Sequence, residues 1–584
     1  MNFFIKVFKE RPLLVSIALI VFVVFCVYAS SLANSFIWDD LLVVVHCDFI
    51  KSFRNLPLVF TPQYLTDPAT LGDLAKGGYG SGEISYRPVV TISYFVDYFL
   101  WKLNPFGYHL TNLILHILNT IVFYFFIRLF IKNFSWAFVA ALIFALHPVQ
   151  SEAVNNISFR EDLLAFLFYV LSFICFMRLK RKEGNKRPSL LLMSQVFFLL
   201  ALFSKEMAIT LPAMLIFYDY CFERKESFWQ RLRNIYFAYF ITAAFYLWVW
   251  KFLMSSSMEP FIFEGQSAYS NFLTMAKIFG FYIYWLFFPV HIHPTVPDWS
   301  LAEFSILSFN VVASITVISL SLYYAYKIKK SSPLISFAIG WFFITLLPVA
   351  NIFPIQNIIA SRYLYLPSAG FSLFAVLCLM KIEESPVAFM RRNFLQKVIC
   401  FGVAGLLFIY ALSSFLKSSV WKNGETFFAE LSSYYPNKDW IFWGLAESLS
   451  RRGFLDEAIT GYKVAVVLNP KDARSYNALG QIYLKKRLLN QAIDAFSRAV
   501  QLDPHNTSGY LNLCSGFGER REWQKSIDCF DKFLSRYPDH AEACYNLGVV
   551  YWRADKRQEA KEVWGKAISL NSDFKEAIDR EQKP

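Results

Sequence analysis

The feature that most constrains the fold of this chain is a change in the character of the sequence near residue 420. Before that point the chain is rich in phenylalanine and in long apolar runs, whereas beyond it most residues are polar. Prolines then recur at a fixed interval, with Pro436, Pro470, Pro504 and Pro538 each separated by 34 residues. The two halves are therefore predicted to fold in different solvents, the first in a lipid bilayer and the second in water.

The 34-residue period is typical of tetratricopeptide repeats, in which each unit is a pair of packed helices. Small and large apolar residues recur in register, as in Leu479-Gly480 and Leu547-Gly548. About four such units are predicted within a repeat domain over residues 421–584. Stacked helical repeats form concave surfaces that bind an extended peptide or partner, so we expect such a surface here. A stabilising cap on the membrane half is the alternative.

Composition excludes several classes of protein. With 56% hydrophobic and 19% aromatic residues, the chain is too apolar to be soluble throughout. The net charge of +13 would suit nucleic acid, but Lys and Arg lie in short loops between apolar runs, where they set orientation in a bilayer. The nine cysteines show no metal-ligand spacing, and no disulfide framework is expected. Residues 12–33 are predicted to be an anchored span rather than a cleaved signal.

The first 420 residues are predicted to form an all-α, polytopic membrane domain of about eleven spans. The apolar runs of membrane-crossing length are 12–33, 109–131, 135–154, 160–178, 189–204, 207–222, 233–253, 304–327, 332–350, 363–381 and 398–415. Two further runs, 88–103 and 271–290, carry Asp97 and Lys277 in their middles, and we expect them to lie in the outer interface or to dip in and return.

The basic loops define a predicted orientation. The most basic connections fall on one side when the eleven spans are threaded in order, and this side is cytoplasmic by the positive-inside rule. They are 178–188, 223–233, the turn with Lys327, Lys329 and Lys330, and 381–397. The N-terminus is then cytoplasmic, and the repeat domain and the outer loops 34–108 and 254–303 lie outside the cytoplasm. A bacterial cell membrane is favoured over the endoplasmic reticulum because no retention signal ends the chain.

Ionisable residues gather at the predicted outer ends of the spans. Such groups are costly near a membrane and are functional candidates by default. They comprise Asp39, Asp40, Arg87, His147, Glu152, Arg160, Glu161, Asp162, Lys205, Glu206, His291, His293, Asp298, Arg362 and Tyr363, together with the neutral polar residues Asn351, Gln356 and Asn357. Each has a simpler explanation when taken alone, such as a solvated boundary for the Asp pair or an interface anchor for Arg362. His116, in the middle of a span, is expected to be a hydrogen-bonded packing residue.

Paired acids and fixed cations at one membrane face suit the transfer of a sugar from a lipid-linked phosphate. A carboxylate, Asp39 or Asp40, would take the proton from an acceptor hydroxyl. Arg160, Lys205, Arg362 and Arg87 would stabilise the departing phosphate, while His147, Glu152, Glu161, Asp162, Glu206 and Tyr363 would support them. No metal site is predicted, although the two histidines of His291-x-His293 are an alternative that would share a metal.

At these residues the chain resembles the transmembrane and tetratricopeptide-repeat-containing O-mannosyltransferases, which are polytopic class C glycosyltransferases. The resemblance runs over nearly the whole length. It is carried by Phe36-Ile37-Trp38-Asp39-Asp40, by Tyr86-Arg87-Pro88, by residues 145–154 with Arg160-Glu161-Asp162-Leu163-Leu164, by residues 204–210 and by residues 361–370.

The resemblance implies transfer of a mannose-like sugar from a polyprenyl or dolichyl phosphate donor to Ser or Thr of a protein acceptor. It also implies inversion at the sugar, no required cofactor or metal, and a base in the first outer loop, which we place on Asp39 with Asp40 as its partner. The partners expected are the lipid-linked sugar, a protein or peptide held by the repeats, and membrane lipids.

Three other hypotheses remain open from the sequence. The same donor could serve a glycan or lipid acceptor, or the protein could be a non-catalytic anchor that displays a repeat scaffold. The scaffold leaves the charges at the span ends unexplained. A transporter is disfavoured because the ionisable groups cluster at one face, whereas transporter sites lie near the midplane.

Overall fold

The structure is a computed structural model that describes residues 12–61, 86–181, 187–222, 235–254, 267–289, 292, 303, 305–352, 355, 357–384 and 392–582. The regular secondary structure of this described part is entirely helical. The chain divides into two compact units, Met1–Thr426 and Phe427–Pro584. The all-α prediction is confirmed, and the division lies close to the change in composition.

The first unit is built from long apolar helices joined by short turns. Its α-helices are α1 (Pro12–Tyr28), α2 (Pro88–Trp101), α3 (Pro105–Arg128), α4 (Phe134–Leu146), α5 (Ser151–Asn155), α6 (Arg160–Arg181), α7 (Arg187–Leu202), α8 (Leu211–Cys221), α9 (Phe237–Met254), α10 (Ala268–Phe287), α11 (Phe309–Ile328), α12 (Pro333–Leu346), α13 (Ser368–Glu383) and α14 (Arg392–Ser418). Helices occupy all eleven predicted spans as well as the two runs assigned to the outer interface.

Several of these helices are long and apolar enough to cross a bilayer. In the described part they are Pro12–Ala33, Pro105–Arg128, Arg160–Leu179, Phe309–Ile328 and Gln396–Trp421. Helices α4 and α5 together form a sixth candidate, bent by 49° at His147-Pro148, where the residue before proline disfavours helical geometry. Shorter apolar helices cover Pro188–Leu202, Phe237–Leu253 and Pro333–Val349. The total of eleven spans stays a prediction.

Aromatic rings fill the core of the first unit. Phe144 stacks on Phe166 at 4.8 Å between ring centroids, and Tyr365 meets both rings edge to face. His116 lies in this core, with Nδ1 2.8 Å from the Tyr365 hydroxyl and Nε2 3.1 Å from the Ala145 carbonyl oxygen. The expectation that His116 is a hydrogen-bonded packing residue is confirmed.

The second unit consists of consecutive helical hairpins. After α15 (Gly424–Tyr434), which begins just before the unit, its helices are α16 (Asp439–Arg451), α17 (Leu455–Leu468), α18 (Ala473–Lys485), α19 (Leu489–Leu502), α20 (Thr507–Glu519), α21 (Trp523–Arg536), α22 (Ala541–Arg553), α23 (Arg557–Leu570) and α24 (Phe574–Glu581). Small residues let the paired helices approach, because a Cβ added at Gly480 would lie 2.6 Å from the ring of Phe496. The four predicted pairs are present.

The repeats share a turn conformation that the proline spacing did not reveal. Between the two helices of each pair one residue adopts a positive φ: Gly453 at 88°, Arg487 at 60°, Arg521 at 62° and Asp555 at 62°. These positions are again 34 residues apart. Only the first is glycine, which reaches this conformation without steric cost.

One expectation about the cysteines was wrong. The sequence indicated no disulfide framework, yet Cys514 of α20 and Cys529 of α21 form a disulfide in the third repeat. The two residues lie 15 positions apart without a recognisable motif, and only the pairing of the helices brings their sulfur atoms together. Disulfides persist mainly in oxidising compartments.

Candidate active site

Charged side chains from five sequence-remote segments of the first unit meet in one cluster. The segments are the loop after α1, the residues just before α2, the stretch from α5 to the first turn of α6, the turn after α7, and the short 3₁₀ helix Ser361–Leu364. Most of the side chains are buried, so their positions are determined by mutual hydrogen bonds and ion pairs rather than by solvent.

The loop after α1 carries the two candidate bases in a strained conformation. Trp38 has a φ of 47°, which is unusual for a bulky residue, and such strain is retained where the surrounding structure enforces it. Asp39 and Asp40 follow directly, 5% and 0% exposed. Buried carboxylates at a strained turn are unusual and are typical of functional sites.

Asp40 is held on both carboxylate oxygens by the backbone. The Ser158 N–H donates to Oδ1 at 2.9 Å, and the Ile37 N–H donates to Oδ2 at 3.3 Å. Burial raises the pKa of Asp40 to about 7, although these two donors act in the opposite direction. Asp40 therefore ties the first outer loop to the turn before α6 and titrates close to neutral pH.

Phe159 joins this loop to the cationic part of the cluster. Trp38 meets its ring edge to face at 6.2 Å, and the Arg362 guanidinium lies over the same ring, 4.0 Å from its centroid. A guanidinium over an aromatic face gains from the ring quadrupole, particularly where water is excluded. The Asp39-Asp40 loop and Arg362 are thus anchored to one side chain.

Arg362 is paired with a buried carboxylate. Its Nη1 lies 2.8 Å from Oε1 of Glu152, and its backbone N–H donates to Oε2 at 3.0 Å. The Ser361 hydroxyl donates to the same Oε2 at 2.5 Å. The two charged side chains are 1% and 2% exposed. Three donors on one buried carboxylate orient Arg362 firmly, because charge-assisted hydrogen bonds are the strong ones.

Lys205 occupies the centre of the cluster. Its ammonium lies 2.7 Å from Asp162 and 3.0 Å from Glu161, and 5.3 Å from the ring centroid of Tyr363. Burial alone would lower the pKa of Lys205, but the two carboxylates outweigh burial and raise it above its ordinary value. Lys205 therefore carries a positive charge over the physiological pH range.

Arg87 forms the outer edge of the cluster. It pairs with the buried Glu161 on one side. On the other, its Nη2 lies 2.9 Å from Oε1 of Glu206 and its Nε donates to Oε2 at 3.3 Å. The Glu206 side chain is 50% exposed, against 11% for Arg87 and 5% for Glu161. Charge exposure in the cluster is therefore greatest at Glu206.

Arg160 faces away from these cations and into the protein. Its side chain is fully buried, and each of its three nitrogens has a partner within the unit. The partners are the Asp97 carboxylate at 2.6 Å, the Asn112 side-chain oxygen at 2.7 Å, the Ser93 hydroxyl at 3.0 Å and the Tyr108 carbonyl at 3.0 Å, with the Tyr94 ring 5.0 Å away. This arrangement indicates that Arg160 holds helices α2, α3 and α6 together.

His147 and Tyr363 support the cluster from its apolar side. Nδ1 of His147 accepts from the Val149 N–H at 3.3 Å, which assigns the proton to Nε2, and Nε2 donates to the Leu286 carbonyl at 3.0 Å. The Tyr363 hydroxyl donates to the Asn357 carbonyl at 3.0 Å. Both side chains hydrogen-bond to the backbone, and their supporting role at the site stays a prediction.

Some predicted candidates lie outside the described residues. These are His291, His293, Asp298 and Gln356. Among the residues that the structure describes, no group of three or more His, Cys, Asp and Glu side chains is placed to hold a metal ion. Asn351 is buried near the cluster segments and adopts a φ of 52°, with its side chain donating to Asn271 at 2.7 Å.

Sequence reasoning missed several residues that shape the cluster. Ser158 and Phe159 hold the Asp loop, and only their position directly before Arg160-Glu161-Asp162 could have drawn attention to them. Asp97 was noticed as a charge in an apolar run, but its ion pair with Arg160 could not be read from a separation of 63 residues.

Comparison with known proteins supports the assignment of both units. Models of the tetratricopeptide repeat match residues 446–486, 473–506 and 541–574. The crystal structure of the MamA protein matches with 25% identity, covering 25% of this chain and 80% of that one, with a TM-score of 0.24. The family models by themselves identify tetratricopeptide repeats in the second unit.

The wider similarity is to protein O-mannosyl-transferases. One from Caenorhabditis elegans is 26% identical over 76% of this chain and 61% of its own length. The human proteins TMTC3 and TMTC1 are 24% and 25% identical, over 80% and 78% of this chain and 53% and 55% of theirs. The chain thus spans between about half and three fifths of the length of the curated relatives that it matches.

Proposed function

We propose that this protein is an integral membrane glycosyltransferase that moves a mannose-like sugar from a polyprenyl or dolichyl phosphate to Ser or Thr hydroxyls of protein acceptors, with inversion. The observation that carries the proposal is that the loop of the buried Asp39-Asp40 pair and the Arg362 guanidinium share one anchor, because Trp38 and Arg362 both contact the Phe159 ring. A carboxylate beside fixed cations is what transfer from an anionic lipid leaving group requires. The similarity to protein O-mannosyl-transferases supports the same activity.

In this proposal Asp39 is the general base and Asp40 positions it. Both oxygens of Asp40 accept backbone N–H groups, so its function is to hold the loop against Ser158. Asp39 would accept the proton of the acceptor hydroxyl while the hydroxyl oxygen bonds to the anomeric carbon. The bond from that carbon to the phosphate oxygen breaks, and the electron pair leaves with the lipid phosphate.

The cations have different proposed tasks. Lys205, Arg362 and Arg87 would stabilise the charge of the lipid phosphate, since preorganised cations in a water-poor site stabilise developing charge strongly. The sequence predicts that Arg160 shares this task. Because Asp97 and its neighbours already occupy the Arg160 nitrogens, we propose instead that Arg160 maintains the site through α2 and α3.

The acceptor is proposed to be a protein because the second unit is a tetratricopeptide solenoid, an architecture suited to extended polypeptides. The site and the repeat unit are proposed to lie outside the cytoplasm, with the N-terminus on the cytoplasmic side, in agreement with the basic loops and with the Cys514–Cys529 disulfide.

A transfer assay with purified full-length protein tests the proposal. Labelled polyprenyl-phosphate mannose and an unfolded Ser/Thr-rich protein are supplied, and the glycan product is examined for its anomeric configuration. Transfer with a configuration opposite to that of the donor is expected. A chain lacking residues 427–584 should lose transfer to the protein. If that chain instead glycosylates a free glycan or lipid as well as the full chain does, the acceptor assignment is wrong.

A further inference from the structure

We propose that the Glu206 carboxylate occupies the place that the donor phosphate takes on Arg87, and that binding of the lipid phosphate displaces it. This inference rests on the proposed function and specifies how its substrate enters the site. Among the described residues of the cluster, the three cations Arg87, Lys205 and Arg362 pair with four carboxylates, those of Glu152, Glu161, Asp162 and Glu206. An added anion would therefore meet excess negative charge, which the withdrawal of one carboxylate removes.

The geometry of the Arg87–Glu206 pair resembles that of a guanidinium bound to phosphate. Two nitrogens of Arg87 face the two oxygens of Glu206, at 2.9 Å for Nη2 to Oε1 and 3.3 Å for Nε to Oε2. A planar guanidinium presents the same fork to carboxylate and to phosphate. Glu206 thus already makes the paired contacts that two phosphate oxygens would make.

Exposure decides which carboxylate can leave. Glu161 also contacts Arg87, but its side chain is 5% exposed and is bound to Lys205 as well. Glu206 is 50% exposed at the start of the short helix Glu206–Thr210, so its carboxylate can turn into water. Exposed ion pairs contribute little to stability, whereas removing a buried carboxylate would leave cations uncompensated. Glu206 is therefore the exchangeable ligand.

The exchange also affects product release. The sugar donor is a phosphodiester with a single negative charge, whereas the lipid phosphate left after transfer is a monoester with about one and a half to two charges. Arg87 would hold that product more tightly than the donor. The return of Glu206 to Arg87 opposes this retention, so the carboxylate helps the spent lipid phosphate to leave.

Binding of polyprenyl phosphate to the full chain in phosphatidylcholine nanodiscs tests the exchange. Glu206→Gln removes the competing charge and should bind polyprenyl phosphate about fivefold more tightly than the wild type. In transfer assays it should show a lower KM for the donor and stronger inhibition by polyprenyl phosphate. Glu519→Gln is the matched control, because Glu519 pairs with Arg487 and Arg553 in the repeat unit; it should behave as the wild type.

Two further variants make the result decisive. In an Arg87→Gln background the added Glu206→Gln change should give no gain, since the carboxylate acts through Arg87. Equal or weaker binding by Glu206→Gln overturns the exchange alone. A wild type that binds no polyprenyl phosphate overturns the proposed function and the exchange together, and a gain that inorganic phosphate abolishes at low millimolar concentration points to a site for free phosphate instead.

Discussion

The two units use the same ion-pairing residues in opposite environments. In the first unit the Arg362–Glu152 and Lys205–Asp162 side chains are at most 5% exposed. In the repeat unit the side chains of the Arg487–Glu519 pair are 76% and 31% exposed. Breaking a buried pair leaves an uncompensated charge, whereas water replaces a lost partner at the surface. Exposed ion pairs therefore contribute little to the stability of the repeat unit. Buried ion pairs, by contrast, are required for the structure of the first unit.

The largest predicted effect is on the transfer reaction of the first unit. Asp39→Asn keeps the shape of the side chain but removes its basicity, so transfer should fall by roughly 10²- to 10⁴-fold, the usual contribution of a general base. Asp40→Asn should lose about tenfold, because an amide keeps an acceptor oxygen for only one of the two backbone donors. Initial rates with labelled donor give both values, and near wild-type rates for Asp39→Asn would reject it as the base.

A comparison of one substitution in both units tests the energetics. Glu152→Gln should lower the free energy of unfolding of the first unit by about 3 kcal/mol, since Arg362 stays buried without its counter-charge. Glu519→Gln should cost the repeat unit less than about 1 kcal/mol. Calorimetry of the full chain, following the two transitions, measures both. Equal losses in the two units would contradict the contrast drawn from burial.

The titration of Asp40 predicts a pH dependence of stability. Burial raises the pKa of Asp40 to about 7 in the folded protein, whereas an unfolded chain loses the proton near pH 4. Between these two pH values the folded state binds more protons than the unfolded state. The stability of the folded state should therefore decrease as pH rises from about 4 to 7, and it should be constant above pH 7. The decrease is on the order of 4 kcal/mol, because each pKa unit corresponds to about 1.4 kcal/mol. Asp40→Asn should flatten it in a pH series of unfolding measurements.

The smallest predicted effect concerns the repeat turns. Gly453→Ala should destabilise the repeat unit by about 1 kcal/mol, because a Cβ at a φ of 88° is strained even though an added Cβ would have no neighbour within 4 Å. Gly565→Ala is the control, because a Cβ at Gly565 would also have no neighbour within 4 Å. Gly565 lies in the helix α23, where alanine should stabilise the repeat unit by about 0.5–1 kcal/mol. Urea unfolding resolves the two signs.

Much of the architecture could be predicted from the sequence. The 34-residue period identified the repeats, and the apolar runs identified the helices of the first unit. Both signals are local, because the pattern of apolar and polar residues within a segment indicates the environment of that segment. The Cys514–Cys529 disulfide was not predicted, because it depends on how two helices pair.

The candidate site shows where local information ends. Its charged members were recognisable one by one, because ionisable groups beside membrane spans are costly and rare. The sequence could not distinguish Arg160 from Lys205, since both are cations at span ends. The structure separates them: Arg160 pairs with Asp97 inside the bundle, whereas Lys205 contacts Glu161 and Asp162 in the shared cluster.

Helical structure, apolar segments suited to a membrane and the tetratricopeptide repeats can all be read from the residues alone, because hydrophobicity and period are properties of contiguous residues. Which remote charges meet depends on how the chain folds. Ion pairs such as Arg362–Glu152, separated by 210 residues, depend on helix packing and on the exclusion of water. Position along the chain sets neither the distance between two charges nor their exposure, and these two quantities govern what the charges do.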